Sequence, residues 1–127
     1  MAPSNAARVL VVEDQPVPRE VLAKILVRDG YEVQTAATAN DALRIGDMFR
    51  PDILLTDWLL QDNVNGLHVA ERLRADYPGM SVIFLTGLPT DKLEAQAETV
   101  RPCKFIEKPC DFQELLQAIR ELTPPAA

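Results

Sequence analysis

The sequence predicts a single α/β domain built on a doubly wound, five-stranded parallel sheet with five helices on its two faces. The chain has 127 residues, which is the size of one ordinary domain. Short apolar runs of strand length alternate five times with longer segments of helical period, the pattern of repeated βα units. Three of these runs are continuously apolar, as expected of strands that helices cover on both faces.

The continuously apolar runs are predicted to be the interior strands, and they comprise Arg8–Val12, Asp52–Asp57 and Ser81–Thr86. The other two strands, Tyr31–Thr35 and Cys103–Glu107, mix polar and apolar residues. A strand at the border of a sheet keeps part of its surface in water. We therefore place these two strands at the edges.

Segments with apolar residues every three or four positions predict a helix after each strand. The predicted helices span residues 18–29, 38–49, 67–77, 90–100 and 111–122. Gly30 is expected to cap the end of the first helix, while Thr38 and Asp111 are expected to cap the starts of the second and fifth. The fourth helix has only a thin apolar stripe, which predicts an exposed and weakly anchored element.

Charge and hydropathy argue against nucleic-acid and membrane partners. The chain has 19 acidic and 13 basic residues and a formal net charge of -6, the wrong sign for binding a phosphate backbone. No apolar run approaches the roughly 20 residues that span a bilayer, and the N-terminus lacks the pattern of a signal peptide. These features predict a cytoplasmic protein.

Cysteine and histidine are scarce, and they are represented by Cys103, Cys110 and His68. The cysteines lack CxxC spacing, which disfavours a structural zinc site and a disulfide scaffold. A nucleophile paired with the single histidine is also disfavoured. We interpret His68 as a polar position on a helix and the cysteines as reduced packing residues.

Polar side chains follow the apolar strands at the point where each strand ends. Glu13 and Asp14 follow the first strand, Asp57 ends the third, Thr86 ends the fourth and Lys108 follows the fifth. Ligands of open parallel α/β sheets bind at the carboxyl ends of the strands. We therefore expect three carboxylates, a hydroxyl and an ammonium group to converge at this edge.

Three close carboxylates repel one another, by about 4 kcal/mol per pair at about 4 Å and an effective dielectric constant of about 20. A divalent cation would neutralise them, and carboxylate oxygens are suited to Mg²⁺ or Mn²⁺. A carboxylate that faces both a metal and an ammonium group is also a candidate nucleophile for phosphoryl transfer. The cluster therefore predicts a metal-dependent phosphoryl site.

At five positions on successive βα units the sequence resembles the receiver domain of two-component response regulators; these positions are Glu13-Asp14, Asp57, Thr86 and Lys108-Pro109. The resemblance covers residues 8–122 and leaves 1–7 and 123–127 as flexible tails. It implies a flavodoxin-like sheet with strand order 2-1-3-4-5. It also implies a phosphorylation-dependent signalling switch rather than a turnover enzyme.

The resemblance assigns a role to each residue of the site. Asp57 becomes the phosphoacceptor, and Mg²⁺ or Mn²⁺ is bound by Asp57, by Asp14 directly, and by Glu13 directly or through water. The main-chain carbonyl of Leu59 completes the metal site. Lys108 pairs with Asp57 and later with the phosphoryl group.

The resemblance also assigns the switch and the partners. Thr86 senses the phosphoryl group, and Phe105 is the aromatic switch residue that changes the surface of the fourth helix, fifth strand and fifth helix. The phosphoryl donor is a sensor histidine kinase or a histidine phosphotransfer protein. The switch surface contacts a downstream protein or a second copy of the chain, with no direct binding of nucleic acid.

The sequence departs from the family pattern beside the phosphoacceptor. Leu59 and Leu88, two residues beyond Asp57 and Thr86, are apolar at positions that in the family govern the access of attacking water. Neither side chain can orient a water molecule, which predicts a comparatively long-lived aspartyl phosphate. The loop after Asp57 also lacks the proline that is frequent there.

Three other functions stay open at this point. The chain could be a receiver-like interaction module that works without phosphorylation. It could be a phosphatase with an aspartyl nucleophile, although such an enzyme would need a second acid where Leu59 stands. A flavin-binding module is disfavoured because Glu13 and Asp14 would repel the phosphate of the cofactor. Whether the chain is a stand-alone regulator or part of a hybrid kinase is also open.

Overall fold

The computed structural model describes residues 6–60 and 65–122 of the chain. Its strands are β1 (Arg8–Val12), β2 (Glu32–Ala36), β3 (Ile53–Asp57), β4 (Ser81–Thr86) and β5 (Cys103–Glu107). All are parallel and form one sheet in the order β2-β1-β3-β4-β5. The predicted fold class and strand order are confirmed. Most of the two predicted tails, and positions 61–64 of the loop after Asp57, lie outside the described residues.

The helices cover both faces of the sheet. They are α1 (Pro16–Arg28), α2 (Ala39–Phe49), α3 (Gly66–Asp76), α4 (Thr90–Glu94) and α5 (Phe112–Leu122), and a 3₁₀ turn spans Glu98–Val100. Apolar residues of α1 and α5 pack on one face, while α2, α3, α4 and the 3₁₀ turn pack on the other. Within the described part of the chain, no helix is long and apolar enough to cross a membrane.

Burial along the strands follows the predicted positions in the sheet. Nearly every residue of β1, β3 and β4 is buried, whereas most residues of β2 and β5 are exposed or only partly buried. The parallel register pairs Val12 with Thr56 and Asp57 with Leu85. The residues that end these strands therefore lie side by side at one edge of the sheet.

Local side-chain contacts explain where the helices begin. The Thr38 hydroxyl accepts a hydrogen bond from the main-chain N–H of Asp41 (3.1 Å), and a carboxylate oxygen of Asp111 accepts one from the N–H of Gln113 (2.9 Å). These contacts satisfy N–H groups that have no partner inside the helix. Both predicted caps are confirmed. Gly30 follows α1 with a φ of 99°, a left-handed conformation that glycine adopts without a Cβ penalty.

The helix predicted over residues 90–100 is wrong in its second half. Helix α4 ends at Glu94, and the main chain continues through turns in which the N–H of Val100 donates to the carbonyl of Ala97 (3.1 Å). The tighter winding of a 3₁₀ turn changes the direction of its side chains. Leu93, Ala97 and Val100 are nevertheless all buried, while the residues between them are exposed.

Candidate functional site

Three carboxylates meet at the carboxyl edge of the sheet. Glu13, Asp14 and Asp57 each offer an oxygen that lies within 4.8 Å of the others. Glu13 and Asp57 are only 2% and 3% exposed, whereas Asp14 is partly exposed. The sheet produces this cluster because β1 and β3 are neighbours and end at the same level. The predicted convergence of the three acids is confirmed.

Lys108 extends its ammonium group into this acidic cluster. Its Nζ lies 2.7 Å from Oδ1 of Asp57 and 3.5 Å from Oε1 of Glu13. The main-chain N–H of Lys108 donates a 2.7 Å hydrogen bond to the carbonyl of Thr86. This bond ties the loop after β5 to the end of β4, so that the lysine side chain is aimed at Asp57.

The pKa values of the site show how strongly its charges interact. Burial, together with the neighbouring Glu13 carboxyl, raises the pKa of Asp57 to about 8, while Lys108 opposes the shift. Burial works to raise the pKa of Glu13, but its contacts with Asp57 and with the N–H of Gln15 lower it on balance. The two buried carboxyls therefore titrate as a coupled pair, with the pKa of one raised and that of the other lowered.

Burial and the Glu13 carboxyl raise the pKa of Asp14 as well. For Lys108, burial opposes the charged form, but the contacts with Asp57 and Glu13 outweigh it and raise the pKa. The ammonium group thus stays charged beside the acids. One lysine against three carboxylates leaves the cluster with surplus negative charge.

The donor set fits a hard divalent cation. Oδ1 of Asp57 is buried and has no aligned hydrogen-bond partner among the described residues, because its contact with Lys108 is an ion pair without hydrogen-bond geometry. The Lys108 ammonium group meets this oxygen with one positive charge, which leaves the charge of the other two carboxylates for a further cation to balance. Glu13, Asp14 and Asp57 would supply oxygen ligands of the kind that Mg²⁺ and Mn²⁺ prefer.

The main chain of Leu59 is fixed next to this cluster. Leu59 forms an isolated antiparallel bridge with Asn65, and the side chain of Asn65 caps α3 by accepting a 3.1 Å hydrogen bond from the N–H of His68. The bridge therefore joins the two ends of the loop that follows Asp57. The assignment of the Leu59 carbonyl as a metal ligand stays a prediction.

A cavity of about 290 Å³ opens beside the phosphoacceptor candidate. Asp57, Thr86 and Lys108 line it together with the side chains of Leu59 and Leu88. Thr86 is buried, and its hydroxyl oxygen accepts a 2.9 Å hydrogen bond from the N–H of Leu88. The structure thus places the predicted hydroxyl, ammonium and carboxylate around one space large enough for a phosphoryl group.

Phe105 belongs to a cluster of three aromatic rings. Its ring stacks on Phe84 with 5.2 Å between centroids, and it lies 5.9 Å from the ring of Trp58. Trp58 and Phe84 make an edge contact at 5.1 Å. Trp58 directly follows Asp57, so the predicted switch residue contacts the neighbour of the predicted phosphoacceptor.

Gly66 is a residue of the site that the sequence pattern did not reveal. A Cβ at this position would overlap the carbonyl oxygen of Asp57 and would lie 2.9 Å from the hydroxyl of Thr56. The N–H of Gly66 donates a 2.7 Å hydrogen bond to the carbonyl of Trp58. Helix α3 therefore begins in direct contact with the backbone that carries Asp57.

The histidine and the cysteines do not belong to the acidic cluster, although Cys110 lines a cavity together with Glu13 and Lys108. His68 is exposed on α3, as predicted. Cys103 and Cys110 are partly buried free thiols, and burial raises the pKa of both. A raised pKa disfavours the reactive thiolate.

Comparison with known proteins agrees with the geometry. The family model of the response regulator receiver domain matches residues 9–120. The probable transcriptional regulatory protein TcrX of Mycobacterium tuberculosis is 30% identical over 121 residues, which cover 95% of this chain and 51% of that protein. A positive alginate biosynthesis regulatory protein of Pseudomonas aeruginosa is 33% identical over 120 residues, which cover 92% of this chain and 47% of that protein. The chain spans about half the length of these relatives.

Solved structures share the fold over nearly the whole chain. The signal receiver domain of an HD domain-containing protein from Pseudomonas fluorescens Pf-5 superposes with a TM-score of 0.85 at 29% identity, covering 93% of this chain and 94% of that one. The chemotaxis response regulator CheY4 of Vibrio cholerae superposes with a TM-score of 0.84 at 24% identity, covering 94% of this chain and 100% of that one. This last likeness concerns the fold alone. On the family match, its coverage and these relatives, the chain belongs to the receiver domain family of two-component response regulators.

Proposed function

We propose that this receiver domain accepts a phosphoryl group on Asp57, in a Mg²⁺-dependent reaction, from a phosphohistidine of a sensor histidine kinase or a histidine phosphotransfer protein. The observation that carries the proposal is the position of Asp57. Its buried carboxylate lies 2.7 Å from the Lys108 ammonium group. Carboxylate oxygens of Glu13 and Asp14 lie within 4.8 Å of an oxygen of Asp57. Such a carboxylate faces both a cation and an open cavity.

The transfer exchanges one bond to phosphorus for another. A carboxylate oxygen of Asp57 bonds to phosphorus while the bond from phosphorus to the donor's histidine nitrogen breaks, and the leaving imidazole keeps the electron pair. A bound Mg²⁺ supplies positive charge for the transferring phosphoryl oxygens. Lys108, whose Nζ lies 2.7 Å from Oδ1 of Asp57, neutralises further charge, and the hydroxyl of Thr86 donates a hydrogen bond to a phosphoryl oxygen.

The proposed output is a change in protein-protein contacts. The hydroxyl of Thr86 lies at the end of β4, and Phe105 lies on the neighbouring β5 in contact with Phe84 and Trp58. Movement of Thr86 toward a phosphoryl group would bias the position of Phe105. The surface of α4, β5 and α5 would then bind a downstream protein or a second copy of the chain. Direct contact with nucleic acid by this domain is not part of the proposal.

Intact mass spectrometry tests the phosphoacceptor. With acetyl phosphate and Mg²⁺ the protein is expected to gain one phosphoryl adduct of about 80 Da. Neither Asp57→Asn nor the wild-type chain in excess EDTA should gain it. Asp47→Asn, which removes an exposed carboxylate on α2, is the matched control and should be modified normally. An adduct that persists in Asp57→Asn, or a wild-type chain that never gains one, would contradict the proposal.

The lifetime of the aspartyl phosphate is a separate prediction. The side chains of Leu59 and Leu88 flank the cavity and are 64% and 45% exposed, so the route of attacking water is bordered by apolar groups. Leu59→Asn and Leu88→Glu provide polar groups that can orient water. We expect each variant to lose its phosphoryl group several-fold faster than the wild type, measured as decay of the phosphorylated mass in Mg²⁺.

Met48→Gln serves as the control for this lifetime, since it also replaces an exposed apolar side chain but on α2. Its phosphoryl group should decay at the wild-type rate. Equal decay of all four proteins would show that the leucines do not govern access of water.

A further inference from the structure

Arg19 makes hydrogen bonds to three successive main-chain carbonyls in the loop between β1 and α1. Its guanidinium Nη1 donates to the carbonyl of Glu13 (3.0 Å) and, at the limit of hydrogen-bond distance, to that of Asp14 (3.5 Å). Its main-chain N–H donates to the carbonyl of Gln15 (3.1 Å). The bond to Gln15 is the first regular bond of α1, whereas the guanidinium bonds tie the backbone of Glu13 and Asp14 to the start of this helix.

Besides Arg19, the loop is held by the N–H of Glu13, which donates to the carbonyl of Ala36 (3.1 Å), and by the N–H of Gln15, which donates to Oε2 of Glu13 (3.1 Å). Gln15 precedes the helix without a side-chain capping bond, and Pro16 and Pro18 have no N–H to donate. In α2 and α3 the same task falls to the side chains of Thr38 and Asn65, which bond to the first turn of their helices. At α1 the direction is reversed, because a side chain of the helix reaches back to the loop.

The three acids differ in how they are held. Glu13 and Asp57 are almost fully buried, so packing fixes their carboxylates. Asp14 is partly exposed and projects from the loop, so its position depends on the loop backbone. The two carbonyls that accept from the Arg19 guanidinium belong to Glu13 and Asp14 themselves.

We propose that Arg19 is a positioning residue for the metal site, which holds the loop backbone so that the Asp14 carboxylate faces those of Glu13 and Asp57. The inference rests on the proposed function, because it assumes that the three acids bind Mg²⁺. Arg19 itself touches neither the metal nor the phosphoryl group. Outer partners that orient metal ligands contribute to metal affinity even though they are not ligands.

Titration calorimetry with MgCl₂ tests the inference without any phosphoryl transfer. Arg19→Met keeps the length and apolar body of the side chain but removes its donors, and it should raise the Kd for Mg²⁺ about tenfold. Arg19→Lys keeps the charge and part of the donor capacity, and it should recover part of the lost affinity. Arg28→Met removes the same charge from the exposed last turn of α1, and it should bind Mg²⁺ like the wild type.

Phosphorylation by acetyl phosphate supplies the second readout. For Arg19→Met the Mg²⁺ concentration that gives half the maximal rate should rise about tenfold, in line with its Kd, while the rate at saturating Mg²⁺ stays at the wild-type level. A merely structural role would instead lower the rate at all Mg²⁺ concentrations. If Arg19→Met does not fold, Arg19→Lys, with a smaller rise in Kd, answers the same question.

Three results would overturn the inference. They are a wild-type Kd in both Arg19 variants, an equal rise in Kd for Arg28→Met, and a lower rate for Arg19→Met at saturating Mg²⁺ with an unchanged Kd. A wild-type chain that binds no Mg²⁺ would instead overturn the metal-dependent part of the proposed function, and this inference with it.

Discussion

Replacing Gly66 with alanine is expected to lower the free energy of unfolding by about 3 kcal/mol, the upper part of the range for inserting a methyl group into a packed region. The added Cβ would overlap the carbonyl oxygen of Asp57, and backbone atoms cannot rotate away as a flexible side chain can. Either α3 or the end of β3 has to move. Because the total stability of such a domain is about 5–15 kcal/mol, the loss is a large fraction of it.

Urea unfolding measures this loss, with Gly79→Ala as the matched control. A Cβ added at Gly79 would meet no atom within 4 Å, and the residue has no positive φ, so an alanine there should unfold at the wild-type urea concentration. Gly66→Ala should also gain the phosphoryl adduct more slowly, since Asp57 is displaced. If both alanine variants unfolded at the same urea concentration as the wild type, the close approach of α3 to β3 would not be rigid.

Replacing Asp57 with asparagine is expected to stabilise the metal-free protein at alkaline pH by about 2 to 4 kcal/mol, the scale of burying a charge without full compensation. The substitution removes one of three carboxylates that share a small buried space. It also removes the group whose pKa is raised to about 8 by burial and by Glu13. In the variant, the positive charge of Lys108 is shared among fewer carboxylates.

The sign of the pH dependence follows from the raised pKa. The pKa of Asp57 is higher in the folded chain than in the unfolded chain. Below the unfolded pKa, near 4, the carboxyl is protonated in both states and does not lower the free energy of unfolding. As pH rises toward 8, the free energy of unfolding falls, because the carboxyl ionises more easily in the unfolded chain. In EDTA, the gap between Asp57→Asn and the wild type should therefore be small near pH 4 to 5 and widest above pH 8.

Thermal unfolding of both proteins across this pH range checks the expectation. Glu20→Gln is the control, because it removes an exposed carboxylate from the middle of α1. It should leave a gap from the wild type that hardly changes with pH. A gap for Asp57→Asn that does not widen from pH 5 to pH 9 would mean that the buried acids do not repel one another.

The chemical residues of the site could be predicted from the sequence because each stands at the end of an apolar run. In a parallel sheet that position alone determines the edge to which a residue belongs. No knowledge of side-chain packing is therefore needed to predict these site residues, which are Glu13, Asp14, Asp57, Thr86 and Lys108. Their convergence follows from topology.

The supporting residues could not be predicted in this way, because their roles depend on distances between segments. Gly66 matters through a contact with the backbone of Asp57, and Arg19 through carbonyls several residues before it. Nothing in the sequence pattern marks Trp58 except that it directly follows Asp57. The end of α4 could not be predicted either, because Leu93, Ala97 and Val100 keep helical spacing and are buried although the α-helix ends at Glu94.

Along β3 and the residue that follows it, side chains alternate between the two sides of the sheet. Leu55 packs with α1 and α5, whereas Trp58 packs with α2 and α3. The rings of Phe84 and Phe105 lie with Trp58 on the α2 and α3 side, so the aromatic cluster occupies one face of the sheet while the carboxylates lie at its carboxyl edge. Mutations among the aromatic rings can therefore change the packing of that face without changing the charge of the acidic cluster.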